Sequence, residues 1–209
     1  MGKVFYISDL HFDHKNILRF DNRPYNSVEE MEEQLILNWN SVVTKDDIVY
    51  ILGDFCWGKE KDWLRLLPIL KGKKVLISGN HDIPRKHMTG QLKAEFEDIK
   101  DYKEINDNGK KIIMSHYPIL TYKHSYDPNT FMFYGHTHLT KEQEYVKIFV
   151  EYMRKNRFDN FDNRGQLIPV GCMMPWINYI PRTAEYILAE APKYLNTPAF
   201  GSEKHETIT

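Results

Sequence analysis

Eight residues carry most of the chemistry this sequence could perform: Asp9, His11, Asp54, Asn80, His81, His116, His136 and His138. Their carboxylate, imidazole and amide-oxygen donors suit borderline divalent ions such as Zn, Mn, Fe or Ni better than Ca or Mg. Six of the nine histidines belong to this set once His14 is counted. Taken singly, each residue has an ordinary reading, because a lone His is more often structural and a lone Gly-Asp is usually a turn. Taken together they point to a metal site, because they follow short apolar runs spread along the chain. Cys56 and Cys172 form no closely spaced pair, which argues against a structural zinc finger, and they read as reduced thiols.

Bringing such distant residues together requires strands that end in one place. Lys3 to Ser8 (KVFYIS) reads as a buried strand that stops at Asp9. Ser27-Val28-Glu29-Glu30 has capping-box spacing, and Met31, Leu35, Ile36 and Trp39 recur at helical intervals, so a helix is expected over Val28 to Val43. Asp47 to Leu52 (DIVYIL) is a second strand, followed by Gly53-Asp54. An amphipathic stretch from Glu60 to Leu70 then leads to a third strand, Lys74 to Ser78, ending at Gly79-Asn80-His81-Asp82. Strand, helix, strand in repetition is the opening of an α/β fold. After this the order changes. Tyr102 to Asn106 and Lys110 to Ser115 flank Asp107-Asn108-Gly109 and read as a hairpin with His116 at its end. Phe131 to Tyr134 is a short strand before Gly135-His136-Thr137-His138. A helix over Lys141 to Arg154, a loop over Lys155 to Gly165 and a last strand over Gln166 to Val170 complete the pattern. In α/β sheets ligands bind at the carboxyl ends of strands, where all these motifs stand.

Five blocks in order, Asp9-Leu10-His11, Gly53-Asp54, Gly79-Asn80-His81-Asp82, His116, and Gly135-His136-Thr137-His138, resemble the signature of the calcineurin-like metallophosphoesterases. The resemblance spans residues 9 to 138. It implies a four-layer αββα sandwich of two mixed β-sheets flanked by helices. It further implies a two-metal site, with Asp9, His11, Asp54 and His138 on one ion and Asp54, Asn80, His116 and His136 on the other. A shared carboxylate makes physical sense there, since an anion between two divalent ions offsets their repulsion. The implied activity is hydrolysis of a phosphoester by a hydroxide bridging the metals, with Asp54 central and His81 as candidate general acid or electrostatic stabiliser, the alternative being a residue that only orients Asn80. The combination of Tyr25-Asn26-Ser27 before the helix and Asn38-Trp39-Asn40 within it is similar to the small single-domain bacterial and phage-encoded members. Two departures stand out. Where one large branch continues G-D-x-x-D-R-G, this chain has Gly53-Asp54-Phe55-Cys56-Trp57-Gly58, so both the later Asp and the Arg are lost. The protein-phosphatase branch is therefore disfavoured, and a cation that grips phosphate must come from elsewhere; Lys15, Arg19, Arg23 and Arg85 are candidates, with ordinary surface charge as the competing reading. His14 stays outside the ligand set.

The 209 residues are 42% hydrophobic and 27% charged, which excludes a disordered or fibrous chain. One domain is expected over 1–191, with a loosely held tail over 192–209. With 28 basic and 29 acidic side chains the chain has no broad electrostatic grip on long nucleic acid or an anionic membrane. No apolar run approaches the roughly 18 residues that span a bilayer. Met1-Gly2-Lys3 is followed by only five residues before Asp9, too short for a signal peptide, so a cytoplasmic location is expected. The expected partner is a small phosphoester, a diester or nucleotide before a phosphoprotein, because Phe12, Phe55, Trp57, Tyr117 and Tyr122 lie near the motifs and could stack on a base. The competing reading is a catalytically silent scaffold of the same fold, whose mark would be lost ligands; the seven ligand positions and His81 are all intact. The apolar segment Gly171 to Ile177 would cover either a sheet face or a partner subunit.

Overall fold

Strand β1 (Val4–Ile7) is the apolar run that precedes Asp9, and it pairs in parallel with β2 (Ile48–Ile51) after two intervening helices, α1 (Ile17–Phe20) and α2 (Val28–Val42). The computed structural model describes residues 2–156 and 166–195. The Ser27 hydroxyl caps α2 by accepting the Glu30 N–H at 3.1 Å. The returning arm of the capping box lands one residue earlier than its spacing suggests, since the Glu30 carboxylate accepts the Asn26 N–H at 2.7 Å. Met31, Leu35 and Trp39 form the buried stripe of α2. Helix α3 (Glu60–Leu66) is shorter than its amphipathic pattern; Pro68 offers no N–H to continue it, and Leu67–Ile69 tightens into a 3-10 turn.

The chain continues through β3 (Lys73–Ile77), α4 (Gly90–Ala94) and β4 (Asp98–Lys100). Strand β4 and helix α4 carry too few residues to show a period, and β4 exists because it pairs with β3 through Val75–Asp98, Leu76–Ile99 and Ile77–Lys100. Next come β5 (Tyr102–Asp107) and β6 (Lys110–Ser115), an antiparallel hairpin whose turn residues Asn108 and Gly109 both have positive φ, 47° and 78°. The last elements are β7 (Thr130–Tyr134), α5 (Lys141–Lys155), β8 (Leu167–Pro169) and α6 (Ala184–Leu195). Two four-stranded sheets result, ordered β1-β2-β3-β4 and β5-β6-β7-β8. The second is mixed. The first was expected to be mixed as well, yet its four strands run parallel, and among the described residues its antiparallel contact is the one bridge of Tyr6 to Arg182. Helical crossovers between successive strands enforce the parallel direction.

Alternation along the strands sets the layers. Ile112, Met114, Phe133 and Ile168 join the main core with β1, β2 and β3, whereas Ile113, Met132, Tyr134 and Leu167 point the other way onto Val146 and Val150 of α5. Helices α2 and α3 cover the opposite face of the first sheet with Met31, Leu35, Trp39, Trp63 and Leu66, which gives the αββα order. A backbone seam joins the sheets where Ser8 N–H donates to the Val170 carbonyl and Cys172 N–H to the Ser8 carbonyl, both at 2.9 Å. Cys172, Met173, Met174, Trp176 and Ile177 are buried there, so the apolar segment is covered by its own chain. Helix α6 continues past the expected tail boundary at 192 to Leu195, where Pro192 and Leu195 close a small cavity with Phe131, Ile168 and Leu188. The remainder of that tail, and 157–165 of the expected loop, lie outside the described residues. Among the described residues no helix is long and apolar enough to cross a membrane.

Candidate metal centre

The strand pairing runs on past the strand ends, and that is what delivers the side chains. Asp9 N–H donates to the Gly53 carbonyl at 3.0 Å and His11 N–H to the Asp54 carbonyl at 2.9 Å, so the turns after β1 and β2 stay paired. Gly135 N–H donates to the His116 carbonyl at 2.9 Å and joins the turns after β6 and β7 in the same way. Asp9, His11, Asp54, His136 and His138 all have φ between 46° and 68°, a region uncommon for residues with a side chain. Each such residue costs of order 1–3 kcal/mol, and this concentration is what functional sites show. Two glycines make room. A side chain on Gly79 would strike the Asp54 carboxylate, and one on Gly53, at φ 85°, would strike the His116 ring.

Two groups of donors meet at this seam. In the first, one ligand atom each from Asp9, His11, Asp54 and His138 lies within 4.8 Å of all the others, and the Nε2 atoms of His11 and His138 are 3.3 Å apart. In the second, Asn80 Oδ1 is 2.9 Å from both His116 Nε2 and His136 Nδ1. Asp54 stands between them, with Oδ2 3.6 Å from His11 Nε2 and Oδ1 3.6 Å from His116 Nε2. All seven ligand positions named from the sequence are therefore gathered in one place. His81 donates its backbone N–H to Asp54 Oδ1 at 2.9 Å, and its ring, 5.8 Å from that of His11, is exposed at the mouth.

Burial sets the charge balance. It pushes the His11 imidazole well below its usual range, and the neighbouring His138 and Arg23 charges push it further in the same direction. Burial also lifts the Asp54 carboxyl above the ordinary value; the Asp9 charge adds to this, while His116 opposes it. His138 moves upward against the effect of burial, because the Asp21 hydrogen bond and the Asp9 charge outweigh it. Asp82 is pushed up to about 6 by burial while its carboxylate accepts the N–H groups of Gly79 (2.7 Å), Phe55 (2.8 Å) and Asp54 (3.1 Å), tying the turns after β2 and β3 together. The two groups thus aim carboxylate, imidazole and amide lone pairs at one another. Such a donor set fits divalent cations of the borderline class and is costly to bury in any other way.

Residues 2–176 match the model of the calcineurin-like phosphoesterase family, a span that contains both donor groups. The chain belongs to that family. Among its relatives, an uncharacterized protein of Methanocaldococcus jannaschii is 38% identical over 158 residues, covering 75% of this chain and 80% of its own. The gene 66 protein of Mycobacterium phage L5 is 32% identical over 163 residues, 66% of this chain and 78% of its own. A solved structure of a protein of unknown function from Aquifex aeolicus superposes with a TM-score of 0.60 at 25% identity, covering 90% of this chain and 99% of that one.

In this phosphoesterase-family chain the surroundings of the metal centre differ from the sequence reading at several points. Arg23, named as a phosphate-gripping cation, is buried and bound to Asp21 and to the carbonyls of Asp9 and Leu10, so it faces the protein. Lys15, Arg19 and Arg85 are exposed. Phe12 and Phe55 are core residues, and Tyr122 is buried under α5, which removes three of the five aromatics offered as stacking surfaces. Trp57 and Tyr117 are half exposed, at 48% and 49%, and lie near the centre: Trp57 touches His81 (4.5 Å between centroids) and stacks on His14 (4.1 Å), and Tyr117 meets His136 edge-on (4.5 Å). Sequence reasoning missed Asp21, whose Oδ1 lies 2.7 Å from His138 Nδ1, because nothing in local spacing links residues 117 positions apart. It also missed Ser8, whose hydroxyl donates to Asp9 Oδ2 at 2.6 Å. A Ser next to an expected ligand is the signal that could have found it.

Proposed function

We propose that this chain is a metal-dependent phosphoester hydrolase whose substrate is a phosphodiester or a small phosphorylated nucleotide. The observation that supports this best is Asp54, which turns one carboxylate oxygen toward each donor group. Asp9, His11, Asp54 and His138 would hold one divalent ion and Asp54, Asn80, His116 and His136 a second, each drawn from Mn, Fe, Zn and Ni. When bound, such ions supply positive charge for phosphoryl oxygens and a water-derived nucleophile at neutral pH.

The chain's own residues do the remaining work. Asp9 is held by the Ser8 hydroxyl and the His136 N–H, so its carboxylate does not turn away from the donors. Asp54 is held by the His81 N–H. The His81 ring stands at the open side of the centre, where it delivers a proton to the departing oxygen as the ester bond breaks. Trp57, beside His81, and Tyr117, beside His136, are half-exposed aromatic rings suited to an aryl or base substituent of a small ester. A net charge of -1 supports a compact substrate over an extended nucleic acid.

Protein stripped with chelator and reloaded with Mn should bind two ions by elemental analysis and hydrolyse bis-para-nitrophenyl phosphate in preference to para-nitrophenyl phosphate. Asp54→Asn should lose metal and turnover together. Wild-type protein that takes up no ion would end the enzyme reading, and an Asp54→Asn protein with both ions and full rate would end the shared-carboxylate assignment.

A further inference from the structure

Asp21 and Arg23 form a charged pair beside the first donor group for which the proposed chemistry has no use. The buried Arg23 guanidinium donates from Nε and Nη2 to Asp21 Oδ2 (3.0 and 2.9 Å), from Nη2 to the Asp9 carbonyl (2.7 Å) and from Nη1 to the Leu10 carbonyl (2.7 Å). A planar fork used this way fixes a carboxylate in one orientation. The other oxygen of that carboxylate, Oδ1, is 2.7 Å from His138 Nδ1, and His138 Nε2 is 3.6 Å from Asp9 Oδ1. The contacts close a ring from the Asp9 backbone through Arg23, Asp21 and His138 to the Asp9 carboxylate. That ring joins the loops after β1 and β7 at the point where two ligands must meet.

The other histidines of the centre are backed less closely: His136 Nε2 is 3.5 Å from Glu142 Oε2, a longer contact to a carboxylate that is 63% exposed, whereas the Asp21 side chain is buried and 2.7 Å from His138. His116 Nδ1 meets the neutral Leu52 carbonyl at 2.8 Å, and His11 Nδ1 has no hydrogen-bond partner among the described residues. A carboxylate behind an imidazole fixes its tautomer and raises its basicity as a ligand, whereas a carbonyl does the first with less of the second. We infer that Asp21, locked by Arg23, is a positioning residue: it keeps the proton on His138 Nδ1, turns Nε2 toward the ion, and makes the Asp9, His11, Asp54 and His138 group the tighter ion site. This rests on the two-ion reading above.

Calorimetric titration of the chelated protein with Mn alone tests it without any assay of turnover. Wild type should show two binding events. Asp21→Ala should weaken one of them by about 10–100-fold and leave the other within about twofold, and Asp21→Asn, which keeps a carbonyl acceptor and loses the charge, should fall between. In an Asn80→Ala background, which strips a ligand from the second group, the surviving event should weaken by the same factor when Asp21→Ala is added. Unchanged affinity at both sites, or an equal loss at both, would overturn the positioning role while leaving the two-ion reading in place. Wild-type protein with no Mn binding would sink both. Should Asp21→Ala lack the native circular dichroism spectrum, Asp21→Asn carries the test by the same criteria.

Discussion

In the proposed hydrolysis His81 is the proton donor, a role that rests on its ring being exposed at the centre while its backbone is pinned to Asp54. A proton donor matters most when the leaving group is a poor one. His81→Ala should therefore retain its ions and lose kcat steeply for alkyl phosphoesters, by about 10²–10⁴-fold, and much less for nitrophenyl esters. A leaving-group series read as kcat separates the roles, since equal losses across the series would make His81 a residue that only orients Asn80 and Asp54. The residue types at this scale were legible because ion binding tolerates few of them: carboxylate, imidazole and amide after a strand are informative wherever they recur. Arg23 was misread for a reason of the same scale. An arginine's charge is visible in a sequence, but its burial against Asp9, Leu10 and Asp21 is a property of what surrounds it.

Elements are held by bonds at their ends as much as by their periodic faces. Asp47, at the start of β2, accepts the Thr44 N–H (2.7 Å), the Thr44 hydroxyl (2.8 Å) and the Lys3 N–H (2.6 Å), which fixes the turn from α2 and the entry to β1 together. Burial opposes the anion, yet these bonds outweigh it and hold the carboxyl below its usual value. A depressed folded-state value means that the stabilisation is full above the unfolded value of about 3.9 and is lost as pH falls through the folded one. Asp47→Asn should cost about 1–3 kcal/mol at neutral pH, with the gap to wild type closing below about pH 4. Urea unfolding at the two pH values checks this, and a gap independent of pH would assign the loss to packing. Long periodic elements such as α2 and α5 were legible in the sequence. The three-residue β4 was not, because it exists through its pairing with β3, and α6 extends beyond Pro192 because its last turn is held by packing: Tyr194 lies against Trp176, 5.8 Å between ring centroids.

At the scale of the whole molecule the two sheets behave as one body, because the core residues of each face the other. Phe133 on β7 meets the Tyr6 ring of β1 edge-on at 5.1 Å, and the Tyr6 hydroxyl reaches across to Asp107 at 2.8 Å. Phe133→Ala should lower stability by about 3–5 kcal/mol in a single transition seen equally by far-ultraviolet dichroism and tryptophan fluorescence; two separated transitions would mean that the sheets unfold independently. By itself the sequence determined the kinds of donor, their order, and their place at the ends of apolar runs, since those depend on residue chemistry and on periodicity within a few neighbours. That the first sheet is wholly parallel, that Ser8 stitches it to the segment after β8, and that Asp21 backs His138 were decided only by the tertiary structure. The physical reason is range. A donor's identity is local, but the few ångströms that separate Asp9 from His138 are set by backbone bonds across the seam between two sheets, and no spacing along the chain encodes them.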